Sequence, residues 1–165
     1  MRSLLGLAIL LSAGTAHADE PALWEAELRL GYGLAVGGGG GMTSTKSTPL
    51  SVTAIGAMAI QDEPRMAAYG GLTVETLDRN AVGAVAGVRL APFDGKVRLS
   101  GGGTWIFAPY TLWGATASGG VCRRSRGLGL CGDLQLTAYF AGTDLAEGHT
   151  VTQIQAVVGV VFDAF

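Results

Sequence analysis

The chain closes with TVTQIQAVVGVVFDAF, Thr150 to Phe165, and this segment governs the interpretation of everything before it. It is rich in β-branched residues, and Asp163 is its only charged side chain. Its even positions run from Thr152 through Ile154 to Phe162, while its odd positions include glutamines and Asp163. Alternation with a period of two predicts a β-strand that ends the chain on Phe165.

The composition limits how so apolar a chain can fold. Hydrophobic residues make up 48% of the 165 residues, charged residues only 15%, and the mean hydropathy is +0.38. Beyond the N-terminal segment, no uninterrupted apolar run has the length that a membrane-spanning helix needs. We therefore expect one domain, built either on a large soluble core or on a closed sheet whose outer face contacts lipid.

The first 18 residues have the pattern of a targeting signal. Arg2 supplies a positive charge, Leu4 to Leu11 an apolar region, and Ala16-His17-Ala18 a small-x-small cleavage site. A membrane anchor is the alternative, but the apolar run is too short to span. We expect a signal peptide at 1–18 and a mature domain at 19–165. Without Arg2, 10 of the 11 basic residues remain against 13 acidic ones, a balance that argues against nucleic acid as a partner.

The mature chain divides into about eight alternating segments of ten or more residues, as transmembrane β-strands do. The predicted strands are 24–36, 50–61, 66–77, 81–91, 96–108, 110–122, 127–141 and 150–165. Most connections are short and rich in turn residues, and the glycine-rich Gly37 to Pro49 is expected to be a flexible loop. The fold predicted is an all-β, antiparallel, up-and-down transmembrane barrel.

The two faces of the predicted strands differ in a way that assigns inside and outside. The polar face has too few charges and too many glycines for a solvated exterior, so we expect it to line the lumen. Charges in a narrow lumen must be paired. The expected lumenal charge network consists of Glu25, Glu27, Arg29, Glu75, Arg89, Arg98 and Asp133.

Aromatic residues group at the two ends of the predicted strands, as in the girdles of lipid-facing barrels. Trp24, Phe162 and Phe165 fall at one rim, and Trp105, Phe107, Tyr110, Trp113 and Phe140 fall toward the other. The alternative is that these are ordinary core aromatics at strand ends.

These patterns resemble those of the small eight-stranded outer-membrane β-barrels of bacteria, over essentially the whole mature chain. The terminal Phe165 resembles the signal that the barrel-assembly machinery reads in such proteins. The resemblance implies a place in the bacterial outer membrane, with lipid and the assembly machinery as partners. One departure is that Phe165 shares its parity with Asp163, which requires either a β-bulge or a position for Asp163 below the apolar band.

Cys122 and Cys131 are the only cysteines, and in an exported chain a disulfide is the default expectation. They lie symmetrically about the centre of the turn at Arg126 and Gly127, so a hairpin there places them opposite each other. Free thiols or metal ligands are the alternative, but two cysteines without a nearby His make a poor zinc site. No metal or other cofactor is expected.

Three functions remain, and the sequence ranks them. A structural or interaction role, without chemistry, is the first expectation. A narrow passive channel is the second, because glycines on the inward face remove bulk: Gly31, Gly33, Gly71, Gly83, Gly87, Gly102 and Gly129. A lipid A-modifying enzyme is the third, with His149 as the one histidine of the expected mature chain, but no serine stands in a matching pattern. Any ligand or external partner stays unidentified.

Overall fold

A computed structural model describes residues 24–39, 42–62, 65–77, 80–93 and 95–164. The strands are β1 (Trp24–Gly39), β2 (Met42–Ser47), β3 (Leu50–Asp62), β4 (Arg65–Thr76), β5 (Ala81–Ala91), β6 (Val97–Ala108), β7 (Leu112–Ser125), β8 (Leu128–Gly142) and β9 (Thr150–Ala164). Within these ranges no helix is long and apolar enough to cross a membrane. The predicted signal peptide and Phe165 lie outside the described residues.

The strands form an antiparallel sheet that closes on itself. From β3 to β9 each strand pairs with the next along the chain. Strand β1 pairs with β2 and β3, and also with β9, from Trp24 opposite Ala164 to Gly38 opposite Thr150. The strands β2 and β3 occupy one position in the barrel, since β2 pairs with the second half of β1 and β3 with the first half. The predicted all-β, eight-stranded, up-and-down barrel is confirmed.

The stagger of the barrel follows from its register. Paired residues traced from Glu25 around every strand return to β1 at Ala35, ten residues further along. A shift of this size requires strands tilted by about 35–45° to the barrel axis. Residues far apart in sequence therefore meet at one level of the lumen.

The expectation of a flexible loop from Gly37 to Pro49 was wrong. Strand β1 continues to Gly39, and β2 pairs with it in unbroken register from Leu34 opposite Ser47 to Gly39 opposite Met42. Glycine is tolerated there because β9 and β2 both supply hydrogen-bond partners to β1. The break between β2 and β3 is bridged by the buried Thr48, whose N–H donates to Gly33 O (2.9 Å) and whose Oγ1 accepts from Gly33 N–H (2.8 Å).

The turn after β7 is shorter than expected. Residues 123–125 continue β7, and only Arg126 and Gly127 form the turn, both with positive φ (52° and 77°). Two such residues build the type I′ turn that suits the twist of a β-hairpin. The predicted centre of the hairpin is confirmed, because Cys122 is opposite Cys131 and Gly120 is opposite Asp133.

Alternation sorts side chains into an exposed apolar outer face and a buried inner face. On β1 the even residues from Leu28 to Val36 are exposed, with Leu30 at 50%, whereas the odd residues Glu25, Glu27 and Arg29 are buried. The outer face is apolar around the barrel, with Leu72, Leu99, Val121, Leu134 and Val158 all exposed. The assignment of the polar face to the lumen is therefore confirmed.

Two ends of the barrel are distinguished by their connections. The terminal end holds Trp24, Ala164 and the strand ends that are joined from β3 to β4, from β5 to β6 and from β7 to β8. The loop end holds the β1–β2 hairpin and the longest connection, 143–149. Inside the loop end, Ile106, Leu112 and Tyr139 form an apolar cluster. The partly buried Tyr110 packs against that cluster, so it does not belong to the exposed aromatic girdle in which the sequence had placed it.

Candidate functional site: a charge cluster inside the barrel

The inner face at the terminal end carries a concentrated set of ionic side chains. Glu25, Glu27 and Arg29 project inward from alternate positions of β1, while Arg89 on β5 and Arg98 on β6 reach them from across the lumen. All seven residues of the expected lumenal network are buried, with exposures of 3–7%. Six of them, all but Glu75, belong to one group of ion pairs. This group, together with Arg65, Arg124 and Asp163, is called the charge cluster.

Glu27 is the hub of the charge cluster. Its Oε1 lies 2.8 Å from Arg29 Nε and 2.7 Å from Arg98 Nη1, and its Oε2 accepts from Arg89 Nη2 at 2.5 Å. One carboxylate thus faces three guanidinium groups. Arginine provides these contacts because its planar fork can serve more than one carboxylate at once and stays charged.

Asp133 compensates the positive charge that surrounds Glu27. Arg98 binds it through two parallel hydrogen bonds, Nε to Oδ1 at 2.7 Å and Nη2 to Oδ2. Arg29 Nη2 approaches the same Oδ2 at 3.8 Å. A bidentate Arg–carboxylate pair is among the strong charge-assisted interactions, and it fixes the orientation of both partners.

A second carboxylate, Glu25, gathers arginines closer to the terminal end. Its Oε1 lies 2.7 Å from Arg65 Nη2 and 2.8 Å from Arg124 Nη1, and its Oε2 lies 3.4 Å from Arg89 Nη1. Arg124 also pairs with Asp163 Oδ1 at 3.0 Å. At this opening of the barrel, Glu25 therefore contacts three arginines and Arg124 contacts two carboxylates, so the charges form a network rather than isolated pairs.

Three members of the charge cluster were missed in the sequence: Arg65, Arg124 and Asp163. The first two had been assigned to turns, yet both stand on strands with inward parity. Asp163 had raised the question of a bulge, but β9 keeps an unbroken register to Ala164, and Asp163 turns inward opposite Glu25. Parity extended by one residue to Arg65 and by two residues to Arg124 would have found both, and Asp163 already had inward parity within the predicted last strand.

Glu75 was expected in the same network, and the structure places it elsewhere. It lines a cavity of about 40 Å³ in the middle of the barrel, together with Thr53, Thr73, Gln153 and Gln155. Apart from Glu75 and Arg29, the polar side chains of this lining are neutral. A space of this size holds roughly three water molecules. The cavity lies between the charge cluster and the apolar cluster at the loop end.

Several of the inward glycines lie directly against the neighbouring strand. A Cβ built on Gly71 would lie 2.9 Å from Ile55 Cα, one on Gly83 2.6 Å from Trp105 O, and one on Gly102 2.8 Å from Gly87 Cα. These positions face the backbone of the adjacent strand rather than free space. The glycines therefore permit the close approach and strong coiling of strands in a narrow barrel.

The disulfide expected from the sequence is present. Cys122 and Cys131 are bonded across the β7–β8 hairpin. Both are buried, and they pack with Val161 of β9. The alternative of free thiols or metal ligands is therefore wrong. Across the described residues, no group of three or more His, Cys, Asp or Glu side chains is arranged to hold a metal ion.

His149, the histidine considered for catalysis, stands in the connection before β9. Its Nδ1 lies 3.1 Å from the carbonyl oxygen of Glu147, and its N–H donates to Ala146 O at 3.0 Å. These contacts stabilise the turn of this connection. They involve main-chain oxygens rather than the carboxylate that a His–acid pair requires.

Comparison with known proteins agrees with the architecture. The chain is similar to the crystal structure of Neisserial surface protein A (NspA), with a TM-score of 0.50 and 13% sequence identity. The match covers 87% of this chain and 99% of NspA. The fold is that of a small outer-membrane barrel. No protein-family model and no curated protein sequence matches the chain.

At this identity, the similarity to NspA concerns the fold alone. It covers nearly the whole NspA chain, so the full barrel is shared rather than one hairpin. The resemblance to the small eight-stranded barrels that the sequence indicated is confirmed at this level.

Proposed function

We propose that this protein resides in the bacterial outer membrane as a closed barrel with a structural or interaction role. The observation that carries the proposal is the outer face, where large apolar side chains are exposed on β1 and on each strand from β3 to β9. Soluble proteins seldom expose contiguous apolar patches beyond a few hundred Å². A belt on all sides of a closed sheet suits a bilayer, because such a barrel leaves no unpaired strand edge in lipid.

Aromatic side chains at both ends of the belt support this placement. Trp24 and Phe162 are exposed at the terminal end. Toward the loop end, Trp105 stacks on Trp113 with ring centroids 4.8 Å apart, and Phe107 and Phe140 are exposed nearby. Tryptophan and other aromatic rings favour the headgroup level of a membrane. The terminal end then faces the periplasm, and the loop end faces outward.

The filled lumen favours a structural or interaction role over conduction. The charge cluster crosses the terminal half of the lumen, and its members pair with one another from opposite strands. An eight-stranded barrel has an interior that side chains just fill. The surfaces left for function are the lipid-facing belt and the loop end, where the β1–β2 hairpin presents the exposed side chains 43–47.

Cell fractionation tests the location. The full chain expressed in a Gram-negative host is expected in the outer membrane, with a mature N-terminus at Asp19 and faster gel migration when the sample is not boiled. A tagged chain that fractionates with soluble periplasmic proteins would contradict the proposal. Recovery of Met1 in the membrane fraction would contradict only the predicted signal peptide.

Conductance in a planar bilayer separates the proposed role from a narrow channel. Purified folded barrel is expected to give no steps above the bare bilayer, because Glu27 of β1 holds Arg89 of β5 and Arg98 of β6 across the lumen. A general porin measured in parallel shows that insertion works. Reproducible steps that vanish on heat denaturation would favour the channel instead.

A further inference from the structure

We propose that the arginines at the terminal end of the lumen bind a small monovalent anion of the size of chloride. This inference goes beyond the proposed function and rests only on the interior of the barrel. The site is a cavity of about 10 Å³ beside the charge cluster. Its charged lining consists of Arg65, Arg89, Arg98, Arg124 and Glu25.

The charge of the lining selects an anion. Four guanidinium groups and one carboxylate face this space, and a guanidinium stays protonated in proteins. Each of the four arginines also pairs with a carboxylate of the charge cluster, but of these carboxylates only Glu25 lines the cavity. A neutral water placed here would leave the local positive charge unchanged, whereas an anion reduces it.

Two arginine N–H groups at this site need an acceptor. Arg89 Nε and Arg124 Nε are buried and have no hydrogen-bond partner in the described part of the chain. The Arg89 residue as a whole is 3% exposed. A buried donor without an acceptor bears the full cost of its desolvation, so an anion within reach would stabilise the folded barrel.

The size and the position of the cavity restrict the ligand. Its volume of about 10 Å³ corresponds to roughly one water-sized particle, which favours a monatomic ion over the larger sulfate or phosphate. The entrance lies at the terminal end, because the Arg65 and Arg124 side chains are 21% and 24% exposed, against 4% for Arg89. An ion from that side would pass two partly solvated arginines before it reaches the buried one.

Unfolding of the purified barrel in detergent tests the site. Urea unfolding is compared in sodium chloride and in sodium gluconate at equal ionic strength, since gluconate is too large to enter. A ligand that binds only the folded state at ten times its Kd lowers the unfolding equilibrium constant about 11-fold. We expect a saturable decrease of this kind in chloride alone. Arg124→Gln should abolish it, and Arg126→Gln, an exposed turn residue with the same charge change, should retain it.

A second measurement keeps the test independent of whether Arg124→Gln folds. Crystals of the wild-type barrel grown in bromide are expected to show an anomalous peak within hydrogen-bond distance of Arg89 Nε. Identical unfolding curves in the two salts would overturn the proposal. Bromide crystals without a peak at Arg89 would overturn it as well, and would assign the position to water.

Discussion

At Glu27, three guanidinium groups converge on a single buried carboxylate. Such an arrangement is weak evidence for stability in itself, since desolvation of the ions offsets much of their attraction. The residues of this arrangement depend on one another, because removing one partner leaves the others charged and buried without compensation. The residues of the charge cluster are therefore expected to be sensitive to substitution as single changes.

Glu27→Gln is expected to destabilise the barrel by about 3–5 kcal/mol, since Arg29, Arg89 and Arg98 lose their shared carboxylate. Urea unfolding followed by tryptophan fluorescence measures this free energy. The matched control is Glu147→Gln in the exposed connection before β9, for which a change within about 0.5 kcal/mol is expected. Equal stability of the two variants would show that the charge cluster contributes little.

Cys122→Ser is expected to leave a folded barrel that is less stable by at most about 3 kcal/mol, because the loop that the disulfide closes is short. The remaining Cys131 is 2% exposed, so its thiol should react with an alkylating reagent only after unfolding. Mass spectrometry with and without urea measures this. Alkylation of both thiols in unreduced wild-type protein would contradict the disulfide and the hairpin register.

At the scale of the strands, β6 combines two kinds of glycine side by side. A Cβ on the inward Gly102 would meet the backbone of β5, 2.8 Å from Gly87 Cα, whereas one on the outward Gly103 finds its nearest atom, Gly114 O, at 3.9 Å. Inward glycines are thus required by strand packing, and outward ones are not.

Gly102→Ala is therefore expected to cost about 1–3 kcal/mol, through strain between β5 and β6. Gly103→Ala is the matched control, one residue away on the other face. It should be neutral or stabilising by up to about 1 kcal/mol, because it restricts the unfolded chain without a clash. The same unfolding measurement reports both. If Gly102→Ala were as stable as Gly103→Ala, the glycines would not be needed for coiling, and the argument for a narrow lumen would weaken.

At the scale of the whole molecule, the apolar outer belt of the barrel contacts the bilayer, so the cost of a substitution on the belt depends on the lipid. Leu30 lies midway along β1 with its side chain outward and half exposed. Nothing in the barrel compensates a charge at that position, so the surrounding lipid decides what a substitution costs.

Leu30→Arg is expected to destabilise the barrel in lipid vesicles by roughly 2–4 kcal/mol, the cost of a cation near the middle of the membrane. Thr45→Arg, on the exposed β1–β2 hairpin, makes the same charge change outside the belt and should be nearly neutral. Gly31→Arg would be a poor control, because a Cβ there already meets Ser51 Oγ at 2.6 Å. If both variants unfold alike in vesicles, Leu30 does not contact lipid.

The sequence by itself determined the barrel, the inner and outer faces, and the disulfide. Each depends on local physics: side-chain alternation is a property of a strand, and Cys122 and Cys131 lie on one hairpin with a two-residue turn. The ends of the strands were predicted less accurately. Much of the loop predicted at Gly37 to Pro49 is strand, because β1 offers an edge with which β2 pairs. Local composition cannot report such an edge.

Only the tertiary structure decided which inward residues meet. Closure of the sheet with a shift of ten residues brings Glu27 of β1 to Arg89 of β5 and Arg98 of β6, and it takes Glu75 to another level. Parity gives the side of a strand that a residue faces but not its height in the lumen. That height depends on register summed over all strands, which is why the charge cluster and its anion-sized cavity could not be read from the chain alone.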